Sequence, residues 1–252
     1  TTSALREDRT LGSTSIRQEL DNMQNAGLIY GQIIYNKAPI VMDKLVELMG
    51  EEQFQLGIRD YLHTYAYGNA TWPELIAILD KYTEEDLSTF SDVWVHQKGM
   101  PHIAIEIGAE DIIFTQNDPY NRGTLWTQSF SSRVIYADGR EEVIDLTMRD
   151  AEHRIAKAGD IVAVLPNSCG RGYGLFIPDT KSREWIMANF ATLKDALLRE
   201  SLAITLHECY QHDIITADEW LRFILEHIAV EPNYLIASTL NDYLAGAMIE
   251  VG

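Results

Sequence analysis

What most constrains this chain is that its hydrophobic period changes twice. Between residues 35 and 97 apolar residues recur three and four apart, from Ile103 they alternate, and beyond Pro178 the helical spacing returns. Residues that line one face of a helix do not line one face of a strand, so each change of period demands a different kind of packing. The expected fold is multidomain α and β: an all-helical segment over residues 1–100, a small antiparallel β sandwich over 101–178, and a helical, α-solenoid-like segment over 179–252. No residue-level repeat marks the last segment.

Residues 1 to about 32 are polar, with Ser13 to Ser15 and Asp21 to Asn25 interrupting any period, and are expected to form loop and short helix leading into Tyr35. There Asn36 can cap a turn and Pro39 suits a first helical turn. The helix that follows would bury Val41, Met42, Leu45, Leu48 and Met49, with Asp43, Lys44 and Glu47 outside. Tyr35 is thereby expected at a helix N-terminus, where backbone N–H groups and the dipole favour a developing negative charge that a phenol could also meet. The residues alone leave a second reading open, a tyrosine wedged at a helix start with its ring buried and its hydroxyl wet. Thr71-Trp72-Pro73-Glu74 reads as a capping box, and Asp86 or Ser88 begins a helix whose Phe90, Val93 and Trp94 suit a core.

After Pro101, Ile103, Ile105 and Ile107 alternate with Ala104 and Glu106. Further runs span Ile112 to Thr115 and Trp126 to Ile135. Asp138-Gly139 predicts a tight primed hairpin turn, with Val143, Ile144, Leu146 and Met148 on the return strand. Ile161 to Leu165 and Tyr173 to Ile177 complete six or seven strands. Beyond Pro178, Trp185, Ile186, Phe190, Leu193 and Leu197 fall on one helical face. Leu202 to Tyr210 follow, then a Thr216-to-Glu219 cap before Trp220, Phe223 and Ile224, and an amphipathic helix from about Pro232 to Met248.

A formal net charge of −18 and a pI near 4.7 disfavour a nucleic-acid partner and leave no basic patch for anionic lipid. No window approaches the roughly 18 apolar residues of a membrane helix. Cys169 and Cys209 form no CxxC pair. Compartment and oligomeric state stay open.

Other motifs carry little chemistry. His207 and His212 lie five apart, about 140° around a helix, whereas HExxH needs its histidines on one face, so a hydrolase built on them is a weak alternative. Gly170-x-Gly172-x-Gly174 precedes a strand rather than opening a helix, so a β turn is expected, not a phosphate loop. Glu84-Glu85-Asp86 reads as a solvated helix start.

The ordered segments Tyr35-Asn36-Lys37-Ala38, Gly50-Glu51-Glu52-Gln53-Phe54, Tyr65 to Trp72, and Trp94-Val95-His96-Gln97-Lys98-Gly99-Met100-Pro101 resemble the C-terminal part of the catalytic domain of the aminopeptidase N family, the gluzincin zinc aminopeptidases. Ala38 stands where the family pattern has glycine. The resemblance continues more weakly through Asn167 to Gly174 and Leu198-Arg199-Glu200. It implies a zinc-dependent enzyme that removes N-terminal residues from peptides, and it aligns Tyr35 with the family's catalytic tyrosine, which steadies the tetrahedral oxyanion.

The family's HExxH helix, its further zinc-binding glutamate and its GxMEN loop would precede Tyr35, and none occurs between Thr1 and Ile34. The expectation is therefore a distal fragment, with zinc bound only in the full-length protein, none in this chain, and no turnover by the chain alone. The competing reading is a noncatalytic scaffold or interaction protein that retains the same fold.

Overall fold

In the computed structural model the described residues are 1–19, 22, 24, 27 and 31–251. Of the break expected from Asp21 to Asn25, positions 21, 23 and 25 lie outside them. The described residues form two compact units, Thr1–Pro101 with Asp118–Ser129, and His102–Asn117 with Phe130–Gly252.

The first unit is helical, with α1 (Thr2–Asp8), a π-turn (Ile33–Lys37) running into α2 (Ala38–Met49), then α3 (Glu51–Thr64), α4 (Trp72–Leu79) and α5 (Leu87–Trp94). Local chemistry sets the starts. The capping box at Thr71 is present, its N–H donating to Glu74 Oε2 at 2.6 Å, and Asp86 caps α5 by accepting the Thr89 N–H at 2.9 Å. Gly57 gives α3 a close approach to α4, where a Cβ would lie 2.6 Å from Leu79 Cδ2. Trp94 is fully buried, and its indole N–H donates to the Thr127 carbonyl at 3.0 Å, so burial leaves no polar group unsatisfied on that ring.

The second unit holds β1 (His102–Ile107), β2 (Asp111–Asn117), β3 (Gln128–Tyr136), β4 (Glu141–Met148), β5 (Glu152–Ala156), β6 (Ile161–Leu165) and β7 (Leu175–Pro178), of which only the first two residues of β3 fall in the helical unit. They make a four-stranded sheet, β5-β2-β1-β7, and a three-stranded sheet, β4-β3-β6. β1 with β2, β2 with β5 and β3 with β6 pair antiparallel, whereas β1 and β7 run parallel, with Ile103 opposing Phe176. Alternating residues of both sheets share one core. Phe130 stands edge-on to Phe114 at 6.0 Å and to Phe176 at 5.0 Å, joining the two layers.

The helices of this unit are α6 (Thr180–Asn189), α7 (Ala196–Gln211), α8 (Ala217–His227) and α9 (Tyr234–Val251). Asp179 caps α6, and Ser182 Oγ accepts the Val164 N–H at 2.9 Å, supplying a partner to strand β6. The Thr216–Glu219 box caps α8. The expected class, helices followed by a β sandwich followed by helices, is the one observed. No helix among the described residues is long and apolar enough to cross a membrane.

Three details differ from expectation. The hairpin at Asp138-Gly139 exists, but only Gly139 has a positive φ (86°). Gly139 N–H bonds Tyr136 O at 3.1 Å and Tyr136 N–H bonds Arg140 O at 3.0 Å, the pattern of a turn closed by a left-handed glycine rather than a primed two-residue turn. Leu197 is 55% exposed, because α7 begins at Ala196 and turns Leu198, Leu202 and Leu206 inward instead. Strand β5, Glu-His-Arg-Ile-Ala, has no apolar alternation to announce it and forms through pairing with β2.

Candidate functional site

Tyr35 lies in a π-turn, and the local sequence explains the turn. Pro39 has no N–H to give the carbonyl four residues back, that of Tyr35, and its ring crowds the same oxygen. The backbone widens accordingly, and the Ala38 N–H reaches Ile33 O, a five-residue step. The helical run begins at Gln32, and the Tyr35 N–H donates to Gly31 O at 3.1 Å, so the tyrosine lies in the first turn of that run, ahead of α2 itself. Asn36 does not cap α2. Its side-chain amide donates back to Gln32 Oε1.

Ile33, Lys37, Val41 and Leu45 are all buried at four-residue intervals, and they define the inward face. Tyr35 is two positions from Lys37, about 200° around, and its side chain is 64% exposed. The ring is thus not a core residue, and the packing reading of this tyrosine is set aside.

The inward face contains two charges that the sequence had not marked. Lys37 Nζ lies 2.7 Å from Asp8 Oδ2 and donates to the Gly99 carbonyl at 2.7 Å, with the Lys37 and Asp8 side chains wholly buried. Ser13 Oγ donates to Asp8 Oδ1 at 2.8 Å. Burial pushes the Lys37 pKa down, and the Asp8 carboxylate opposes that shift. Lys44, expected outside, is 3% exposed and places its ammonium 5.6 Å from the centre of the Trp94 ring. Periodicity held the signal for both, since Lys37 falls on the apolar stripe and Lys44 one turn beyond Val41.

The Gln97-to-Pro101 string is part of this framework. Gln97 Oε1 and the Lys98 carbonyl accept from Arg122 at 2.9 and 3.0 Å. Gly99 has φ 85°, and a Cβ there would meet Tyr120 Cε2 at 2.5 Å. Asp118 in turn accepts the N–H groups of Tyr120 and Arg122 and the Arg122 guanidinium at 2.9 to 3.0 Å.

Elsewhere the rejected motifs take structural roles. His207 stacks on Tyr243 at 3.7 Å, whereas His212, at the end of α7, faces His102 at 5.1 Å. Among the described residues no group of three or more His, Cys, Asp or Glu side chains is arranged to hold a metal ion. In the glycine-rich loop, Asn167 Oδ1 accepts the Gly172 N–H at 2.7 Å, and a Cβ on Gly172 would strike Phe176 at 2.5 Å, so this is a packed turn before β7. Cys169 and Cys209 are free thiols. Asp86 titrates below its ordinary range because Thr89 donates to it, as a helix cap does.

The Peptidase family M1 domain matches residues 1–94, the stretch that includes Tyr35, Lys37 with Asp8 and Ser13, and the helices α1 to α5. Over those residues the chain is similar to that peptidase family, and the curated relatives it matches are aminopeptidases. It is 31% identical over 124 residues to Aminopeptidase M1-C of Oryza sativa subsp. japonica, covering 49% of this chain and 14% of that protein. It is 27% identical over 129 residues to Aminopeptidase N of Lactococcus lactis subsp. lactis, covering 49% and 15%. A longer alignment, 23% identical over 247 residues and 96% of this chain, reaches 30% of the Tricorn protease-interacting factor F2 of Thermoplasma acidophilum. The chain thus spans about one seventh of the first two relatives. Tyr35 lies within the matched stretch, exposed on a widened turn of a kind that occurs often at functional positions.

Proposed function

We propose that these residues form the distal part of a zinc-dependent aminopeptidase that removes N-terminal residues from peptides, with Tyr35 as the catalytic group they contribute. The observation that carries this reading is the exposure of Tyr35 opposite a fully buried stripe, at the position that resembles the family's catalytic tyrosine. When water adds to the scissile carbonyl, the phenol O–H donates to the oxygen that becomes negative, a bond stronger in the transition state than in the ground state.

No group of three or more His, Cys, Asp or Glu among the described residues is arranged to hold zinc. In this reading the metal is held by residues outside these 252, and the isolated chain neither retains catalytic zinc nor turns over aminoacyl substrates. The accompanying division assigns residues 1–100 to the end of the catalytic domain, 101–178 to a small β-sandwich domain and 179–252 to the start of a helical domain.

The test is Tyr35→Phe in the full-length enzyme. Loss of one oxyanion donor is expected to lower kcat by roughly 10²- to 10³-fold with KM little changed. A noncatalytic scaffold would show no aminopeptidase turnover to lose, and an undiminished kcat in the variant would remove Tyr35 from the reaction.

A further inference from the structure

We propose that Lys37 is a positioning residue for Tyr35, in that its buried contacts to Asp8 and Gly99 hold the π-turn that fixes where the phenol points. This rests on the catalytic reading of Tyr35 above. π-turns are rare and occur mostly as single bulges inside α-helices; Pro39 opens this one, and the packing around it fixes its register. Here the closing bond of the turn, Ala38 N–H to Ile33 O, abuts Lys37, the turn's last residue. The Lys37 ammonium is bound on two sides, at 2.7 Å by Asp8 at the end of α1 and at 2.7 Å by the Gly99 carbonyl, 62 residues away in sequence.

Both anchors are themselves held. Ser13 bonds the second oxygen of Asp8, and Gly99 sits close against the Tyr120 ring, where a Cβ would come within 2.5 Å, beside a Lys98 carbonyl that accepts from Arg122. A long flexible side chain with its tip tied at two rigid points, wholly buried, leaves the backbone at 37 little freedom. Tyr35 is two residues away on the same turn. Slippage of the turn to an α register would rotate the phenol about the helix axis, and a misplacement of about 1 Å can cost on the order of 10²-fold in rate.

Two measurements separate this from simple loss of stability. Because Lys37→Met alone strands a buried carboxylate, the key variant is Asp8→Leu with Lys37→Met, which removes both charges. In this 252-residue chain, with 3-fluorotyrosine at position 35, the ¹⁹F resonance is expected to shift and broaden in the double variant while circular dichroism keeps the helix content of the parent. If the pair is too disruptive to fold, Asp8→Asn, which weakens the tie without deleting it, is expected to shift the same resonance part-way. An unmoved resonance in a folded variant overturns the proposal.

In the full-length enzyme the double variant is expected to lose roughly 10²-fold in kcat with KM held, and to lose nothing further when Tyr35→Phe is already present. An equal loss in both backgrounds assigns Lys37 to general stability and likewise overturns positioning. If the resonance moves but Tyr35→Phe leaves kcat intact, the positioning holds and the catalytic reading of Tyr35 falls.

Discussion

Arg199 grips Glu231 through two parallel hydrogen bonds, Nε to Oε2 and Nη2 to Oε1, each 2.8 Å long, with the side chains 6% and 1% exposed. The Asn233 N–H adds a third bond to Glu231, and the Leu193 carbonyl accepts from Arg199, so the pair is buried with its hydrogen-bonding groups occupied. Glu231→Gln is expected to destabilise the second unit by about 3–5 kcal/mol, because it leaves a guanidinium buried without its counter-charge. Burial by itself would raise the Glu231 pKa, but the Arg199 and Asn233 bonds outweigh it and hold the carboxyl below its ordinary 4.5. A depressed carboxyl contributes fully above the unfolded value and loses that contribution as pH falls through the folded one. Urea unfolding of the parent should therefore weaken below about pH 4.5, and more steeply than that of the variant. Identical acid limbs would contradict this.

Asp118 organises its loop in the same way. Desolvation opposes its ionisation, yet the Arg122 guanidinium and the N–H groups of Tyr120, Arg122 and Thr124 keep it far below the usual carboxylate range. Asp118→Ala should cost on the order of 2–3 kcal/mol, and protease cleavage after Arg122 should accelerate in the native state. Because the depressed pKa leaves most of this carboxylate ionised at pH 3, its contribution should outlast that of ordinary carboxylates on acidification. Equal proteolysis rates in parent and variant would count against the assignment.

Gly99→Ala combines a left-handed backbone with a 2.5 Å contact to Tyr120. The backbone alone costs roughly 1–2 kcal/mol, and displacement of the ring adds to it. Thermal unfolding should show a loss larger than that of Gly139→Ala, where φ is 86° but no atom lies within 4 Å of the new Cβ. Similar losses at the two sites would mean that the Tyr120 contact carries no energy.

The two thiols should react at different rates. Cys209 is buried, donates to the Phe176 carbonyl at 3.3 Å, and has its pKa pushed up by burial to about 12, so almost no thiolate exists at pH 8. Cys169 is only part-buried. Titration with an aromatic disulfide reagent should count one thiol in native protein and two in denaturant. Two fast native thiols would refute the burial of Cys209.

What the sequence determined by itself was whatever depends on neighbours along the chain. The three periods set the order of helices, strands and helices. The boxes at Thr71 and Thr216 set two helix starts within a residue, because cap donors and acceptors lie three residues apart. The family segments around Tyr35 and Gln97 were likewise legible as ordered strings. Tertiary structure decided the partners, which periodicity could not supply. Lys37 reads as a polar residue beside Tyr35 until Asp8 and Gly99 are brought to its ammonium, and Lys44 reads as exposed until the Trp94 ring covers it. Strand β5 has no pattern of its own and exists because β2 offers an edge. Tyr35 shows the division most clearly. Its place in a string came from sequence, but its exposure was decided by which face of the turn is buried, and that face holds a lysine whose partners no local pattern could have named, since burial of a charge depends on counter-charges distant in the chain.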